Sequence, residues 1–207
     1  EFKSEDDEAD GSDKAVSAYN SLKDWGMQIL AGAVTTGSSL AIAAETVNDG
    51  IFMLTPSASA VDVAMTGPNV YQMCFTDPNQ GASAAELMKN KWPDATIGVI
   101  YDSSDAYSAG IVDGFLTKAT ELGLNVAVDD AAFTADNKAD LSTQVNLCKD
   151  AGCDLVFLPF YYTEAAQVLT YANTVGYKPT FFGCDGMDGI LNVEGFDTSL
   201  AEGLVLM

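Results

Sequence analysis

The feature that most restricts how this chain can fold is a regular alternation between short apolar runs and longer segments of helical period. The runs are "MQILAG", "IFMLTP", "TIGVIYD", "NVAVDD", "DLVFLPF" and "PTFFG". Rich in Val, Ile, Leu and Phe, they suit strands buried on both faces of a sheet rather than strands with one wet face. Between them lie "DKAVSAYNSLKDWG", "SLAIAAETVNDG", "GASAAELMKNKW", "YSAGIVDGFLTKATELG", "DLSTQVNLCKDAG" and "TEAAQVLTYANTVG". Nearly all stop at glycine, which takes the left-handed conformation beyond a helix end at little cost. Strand and helix in alternation give a parallel sheet flanked by helices. The expected class is α/β, with Rossmann-like lobes built on parallel sheets.

A chain of 207 residues, 48% of them hydrophobic, suffices for one large or two small lobes. A seam is expected at "CFTDPNQG", where Asp77, Pro78 and Gly81 cluster between an apolar run and a helix. That divides the chain into part of one lobe (1–76), a second lobe (77–200) and the start of a crossover back to the first (201–207). No apolar run reaches membrane-spanning length, and "GMQILAGAVTTGSSLAIAA" reads as strand, loop and helix. The acidic opening "SEDDEADGSD" reads as a solvated strand end leading into a helix cap. With no initiator methionine, no signal peptide and an apolar close in "GLVLM", the expectation is a piece of a longer protein.

Charge removes several function classes. The chain has 9 Lys+Arg against 30 Asp+Glu, a net charge of −21, and no histidine. All nine basic residues are lysines, so arginine is absent too. Nucleic acid and anionic membrane surfaces, which are bound by clustered Lys and Arg, are not expected partners. Without histidine the usual Ser/His and Cys/His catalytic pairings and the commonest metal ligand are missing, so no enzyme, metal or cofactor is expected. Cys74, Cys148, Cys153 and Cys184 show no C-x-x-C spacing and read as small buried hydrophobes, with one disulfide allowed in an oxidising compartment.

"GAVTTGSS", residues 32–39, has the glycine spacing of a phosphate-cradling loop, but Ser38 stands where a lysine would meet the phosphate. Backbone N–H groups and hydroxyls at a helix start suit one carboxylate better than a polyphosphate. In open parallel sheets ligands sit beyond the carboxyl ends of the strands. The residues there are Thr35, Thr36, Gly37 and Ser38; Ser57, Ala58 and Ser59; "YDSSDAY" with Tyr107; Phe160, Tyr161 and Tyr162; and Cys184, Asp185 and Gly186. Hydroxyls thus gather on the first lobe, and aromatics with one carboxylate on the second. Each has a plainer role as well. Thr36 and Ser38 suit capping of a helix starting near Ser39, Ser57 and Ser59 suit a loop, Tyr107 and Tyr161 suit a core, and Asp185 suits a turn with Gly186.

"YNSLKDWG…GAVTTGSSLAIA…PSASAVDV…CFTDPNQGASAA…YDSSDAYSAG…DLVFLPFYYTEAA…FFGCDGMD" resembles, in order and spacing, the periplasmic binding proteins of branched-chain amino acid ABC importers, the leucine/isoleucine/valine-binding family. The resemblance implies two α/β lobes joined by crossovers, with a free amino acid held in the cleft and delivered to a membrane permease. The protein would work in the periplasm or outside the cell, with or without a lipid anchor. It places Thr36, with Thr35 and the amides near Gly37 and Ser38, at the ligand α-carboxylate. Ser57, Ala58 and Ser59 fall at the segment that receives the α-ammonium and completes the carboxylate shell. Asp185 falls at the acidic partner of the ammonium, and Tyr107 and Tyr161 at aromatics that close over the ligand, with Tyr162 as the other inward choice. The family often has an aromatic after the Asp-Gly pair where this chain has Met187, which implies a reshaped pocket and leaves the amino acid open. The resemblance puts the family's first strand and helix before Glu1 and its later segments after "GLVLM", so the rest of the first lobe is expected from further segments of the same protein or from another chain. A sensory domain of the same fold is the other reading, and the two ends of the full gene product distinguish them.

Overall fold

A computed structural model describes residues 1–9, 11 and 13–207. The cap expected at the end of the acidic opening falls in part on residues 10 and 12, outside the described residues. The chain forms two compact units, Glu1–Asp77 and Pro78–Met207.

The first unit runs α1 (Asp13–Trp25), β1 (Ile29–Ala31), α2 (Thr36–Asp49), β2 (Phe52–Thr55), α3 (Val61–Met65) and β3 (Val70–Gln72). Its three strands form a parallel sheet in the order β1-β2-β3. Two elements carry no signal of their own length: α3 is five residues and β3 three. Helix α2 begins at Thr36, not near Ser39 as the spacing suggested, and ends at Gly50, whose left-handed φ of 68° lets its N–H reach back to the last turn.

The apolar runs of this unit are not buried on both faces. Leu30, Met53 and Val70 point into a core with Ala15, Tyr19, Leu22, Ile42, Ala43 and Val63 of the helices. The opposite face is bare among the described residues: Ile29 is 70% exposed, Phe52 40% and Tyr71 50%. Register sets Ile29 beside Phe52, and the Phe52 and Tyr71 rings stack at 5.3 Å. The expectation fails because helices cover one side only.

The second unit runs α4 (Asp77–Lys91, its first residue in the first unit), β4 (Thr96–Asp102), α5 (Ala106–Leu122), β5 (Asn125–Phe133), α6 (Ser142–Asp150), β6 (Leu155–Leu158), α7 (Tyr162–Thr174), β7 (Thr180–Gly183) and β8 (Val205–Leu206). Its five parallel strands lie in the order β5-β4-β6-β7-β8. Residues 205–206, at the apolar close of the sequence, add the edge strand beside β7. Here both faces are covered. Alternate residues Ile97, Val99, Leu155 and Phe157 pack with Met88, Ile111 and Phe115 of α4 and α5. Ile100, Val156 and Leu158 pack with Val145, Ala165 and Leu169 of α6 and α7. No helix among the described residues is long and apolar enough to cross a membrane.

Candidate functional site

The first cluster of candidate residues grows out of the start of α2. The first backbone bond there runs from Ser39 N–H to the Thr35 carbonyl (3.0 Å). The amides of Thr36, Gly37 and Ser38 therefore have no acceptor within the helix and lie at the positive end of its dipole. Thr35 is the N-cap in extended conformation, yet its side chain makes no capping bond. Its Oγ1 is buried without a hydrogen-bond partner among the described residues, and so is Ser59 Oγ. A buried hydroxyl left unpaired costs about 1–3 kcal/mol, so such atoms mark places where a further group belongs.

A small network holds the loop after β2 against this helix start. Thr55 Oγ1 donates to the Ala33 carbonyl (2.7 Å) and accepts from Ala58 N–H (3.0 Å). Thr36 Oγ1 accepts from Ser59 N–H (3.3 Å), and Ser39 Oγ donates to the Ala33 carbonyl (3.1 Å). Cys74 Sγ donates to the carbonyls of Ser57 (3.2 Å) and Ala58 (3.3 Å). Thr36 thus spends its hydroxyl on seating Ser59, and Thr35 offers the one that is left. Ser38 is buried in the first turn of α2, Ala58 is buried and Ser57 half-buried.

The second cluster follows from topology. From β4 the chain steps to β5 on one side and then to β6 on the other, so the connections diverge at the carboxyl ends of β4 and β6, where open α/β sheets bind ligands. Tyr107 stands in the first turn of α5 after β4, Tyr161 is the N-cap of α7 after β6, and Asp185 opens a 3-10 turn after β7. Tyr107 Oη donates to Asp185 Oδ1 (2.8 Å) and accepts from Gly186 N–H (3.0 Å). Gln80 Nε2 donates to the same Oδ1 (2.8 Å). The Tyr107 and Tyr161 rings stack with centroids 5.1 Å apart. A Cβ on Gly186 would stand 2.9 Å from Tyr107 Oη, so the glycine lets the turn close on the rings.

Burial, then the neighbouring Cys184 and Asp185, pushes the Tyr107 phenol well above its ordinary value, so it stays a donor to the carboxylate. Both bonds fall on Oδ1 of Asp185. Tyr162 is 41% exposed and lies against Gly189, away from this network. Met187 is fully buried in the core, against Gly183. Gln80 is the member that sequence reasoning missed; it is buried, and its Oε1 has no partner among the described residues.

Two parallel α/β units carrying such clusters at their strand ends define a type I periplasmic binding protein. The chain belongs to the periplasmic binding protein family, whose model matches residues 1–204. More particularly, it is similar to the Leu/Ile/Val-binding protein BraC3 of Rhizobium johnstonii, 27% identical over 182 residues, 87% of this chain and 49% of that protein. It is similar also to the leucine-, isoleucine-, valine-, threonine- and alanine-binding protein of Pseudomonas aeruginosa, 25% identical over 200 residues, 96% of this chain and 52% of that protein. Among solved structures, the leucine-binding protein LivK of Thermotoga maritima superposes with a TM-score of 0.83 at 27% identity, covering 93% of this chain and 54% of that one. The chain spans about half the length of the curated relatives it matches.

Proposed function

We propose that this chain is part of a substrate-binding protein that takes up a free α-amino acid, branched-chain or otherwise aliphatic, and hands it to an ABC-type permease. The observation that carries the reading is the pair of buried hydroxyls without a partner among the described residues, Thr35 Oγ1 and Ser59 Oγ, at the start of α2 and in the loop seated against it. Hydroxyl and amide donors at a helix start suit a carboxylate. Asp185, held by Tyr107 and Gln80, supplies the complementary acceptor for an ammonium group. Carboxylate and ammonium are the two charged groups of a free α-amino acid, and the names of the relatives support an aliphatic side chain. The set holds no nucleophile and base in register, so binding without chemistry is its role. Segments of the same protein beyond residues 1–207 complete the first unit, and the working place is the periplasm or cell exterior, with a lipid anchor as one means of retention.

A thermal-shift screen of the full-length protein tests this. Leucine, isoleucine or valine at a hundred times its dissociation constant should add about 2.7 kcal/mol of stability. Sugars and nucleotides should add none. Failure of every amino acid at millimolar concentration sinks the reading.

A further inference from the structure

We propose that Cys148 and Cys153 form a disulfide when the protein folds in an oxidising compartment. The geometry comes from how α6 ends. Cys153 N–H bonds to the Cys148 carbonyl and Gly152 N–H to the Lys149 carbonyl, each at 3.0 Å, with Gly152 at φ 71°. This pair of bonds around a left-handed glycine brings the third residue from the helix end against the one after the glycine, and their side chains meet. Here the meeting side chains are both thiols, 0% and 2% exposed. Their sulfurs crowd one point beneath β4: a Cβ on Gly98 would lie 2.6 Å from Cys148 Sγ and 3.1 Å from Cys153 Sγ. That accounts for a glycine in the middle of a buried strand. The four-residue gap separates this pair from the C-x-x-C motifs of metal sites and redox enzymes.

The pair is also polarised. A hydrogen bond from the Cys148 thiol to Cys153 lowers the pKa of Cys153 and raises that of Cys148. The thiolate of one cysteine attacks a small-molecule disulfide such as oxidised glutathione, breaking that S–S bond, forming a mixed disulfide and releasing one thiolate. The other cysteine, on losing its proton, attacks the first one's Sγ, closes the internal bond and releases the second thiolate. Two electrons pass from the protein sulfurs to the oxidant, and the two protons end on its two thiols. Because both sulfurs are buried, the exchange belongs to folding or to a local opening of the α6 end. The bond then ties the end of α6 to the entry of β6.

The full-length protein is refolded in a glutathione redox buffer, alkylated and digested with trypsin, which cuts after Lys149 and so puts the two cysteines in different peptides. The expected product is those two peptides joined, two hydrogens lighter than their sum, with fragmentation placing the link at Cys153 and the alkyl group at Cys184, which shares its peptide because trypsin does not cut between Lys178 and Pro179. Reductant should lower the melting midpoint of this protein by about 4–8 °C and leave a Cys148→Ala/Cys153→Ala variant unmoved. Alkylation of both thiols in the refolded protein, or a linkage through Cys74 or Cys184 instead, overturns the proposal and leaves the two sulfurs as filler of the helix-end contact.

Discussion

Asp185 accepts from two neutral donors on one oxygen, and this arrangement separates its structural role from the ligand role proposed for it. Asparagine at 185 keeps a carbonyl oxygen for Tyr107 and Gln80 but loses the charge that would meet an ammonium group. Asp185→Asn should therefore fold normally and weaken amino acid binding by about 2–5 kcal/mol, the range for truncating one partner of a desolvated charge pair. That corresponds to roughly thirtyfold to several thousandfold in affinity. Asp7→Asn in the acidic opening should change affinity far less, since a solvated charge is screened. Titration calorimetry on both variants reads the difference, and equal affinities would reduce Asp185 to the turn residue that Gly186 already suggests. At this scale the sequence was partly legible. The strand-end rule picks out Tyr107, Tyr161 and Asp185 without knowledge of their contacts. Gln80 stays hidden because a helix-interior amide gives no local signal, and its partner lies 105 positions away. Thr35 and Thr36 cannot be told apart by type; where α2 starts decides which hydroxyl seats the loop and which is left over.

Helices α4 and α5 meet backbone to backbone through a glycine on each. A Cβ on Gly81 would lie 2.0 Å from the Ile111 carbonyl oxygen, and one on Gly114 would lie 2.4 Å from the Pro78 carbonyl oxygen. This contact sets the start of α4, and with it Gln80, against the helix that carries Tyr107. In an exposed helix Gly→Ala would stabilise by up to about 1 kcal/mol through propensity. At either of these sites the sign should reverse, because the clash is with backbone and cannot be relieved by a rotamer. Gly81→Ala or Gly114→Ala should cost about 1–3 kcal/mol or more, measured by urea unfolding, and a stabilised variant would show that the helices are not in contact there. Elements were the most legible scale. Each of the six apolar runs contains a strand, because a short unbroken run of Val, Ile, Leu and Phe suits a strand in a parallel sheet, including β1 and β2, whose second face is bare among the described residues. β8, at two residues, and α3, at five, are too short for a period to show, and β3, though no shorter than β1, is "VYQ" and lacks the aliphatic run that carries β1.

The apolar runs of the first unit say that both faces of its sheet need cover, but a sequence cannot say which segment supplies it. Ile29 at 70% exposure, stacked Phe52 and Tyr71, and Met73 at 72% form a bare apolar face on a parallel sheet. Such sheets occur almost only with helices on both sides, and contiguous exposed apolar patches of this kind mark a surface that another segment covers. The relatives are about twice as long as this chain, so the covering segment is expected from the remainder of the same polypeptide. Two measurements follow. Residues 1–207 alone should bind an environment-sensitive hydrophobic dye strongly, and the full-length protein weakly. In the full-length protein Ile29→Lys should lower stability by roughly 3–5 kcal/mol, as expected for a charge buried without a partner, whereas a substitution at a solvated position changes it within about 0.5 kcal/mol. If Ile29→Lys is as mild as a surface change in the full-length protein, the face is a solvent face there too. The net charge of −21 would then be what keeps an uncovered sheet from pairing with its neighbours.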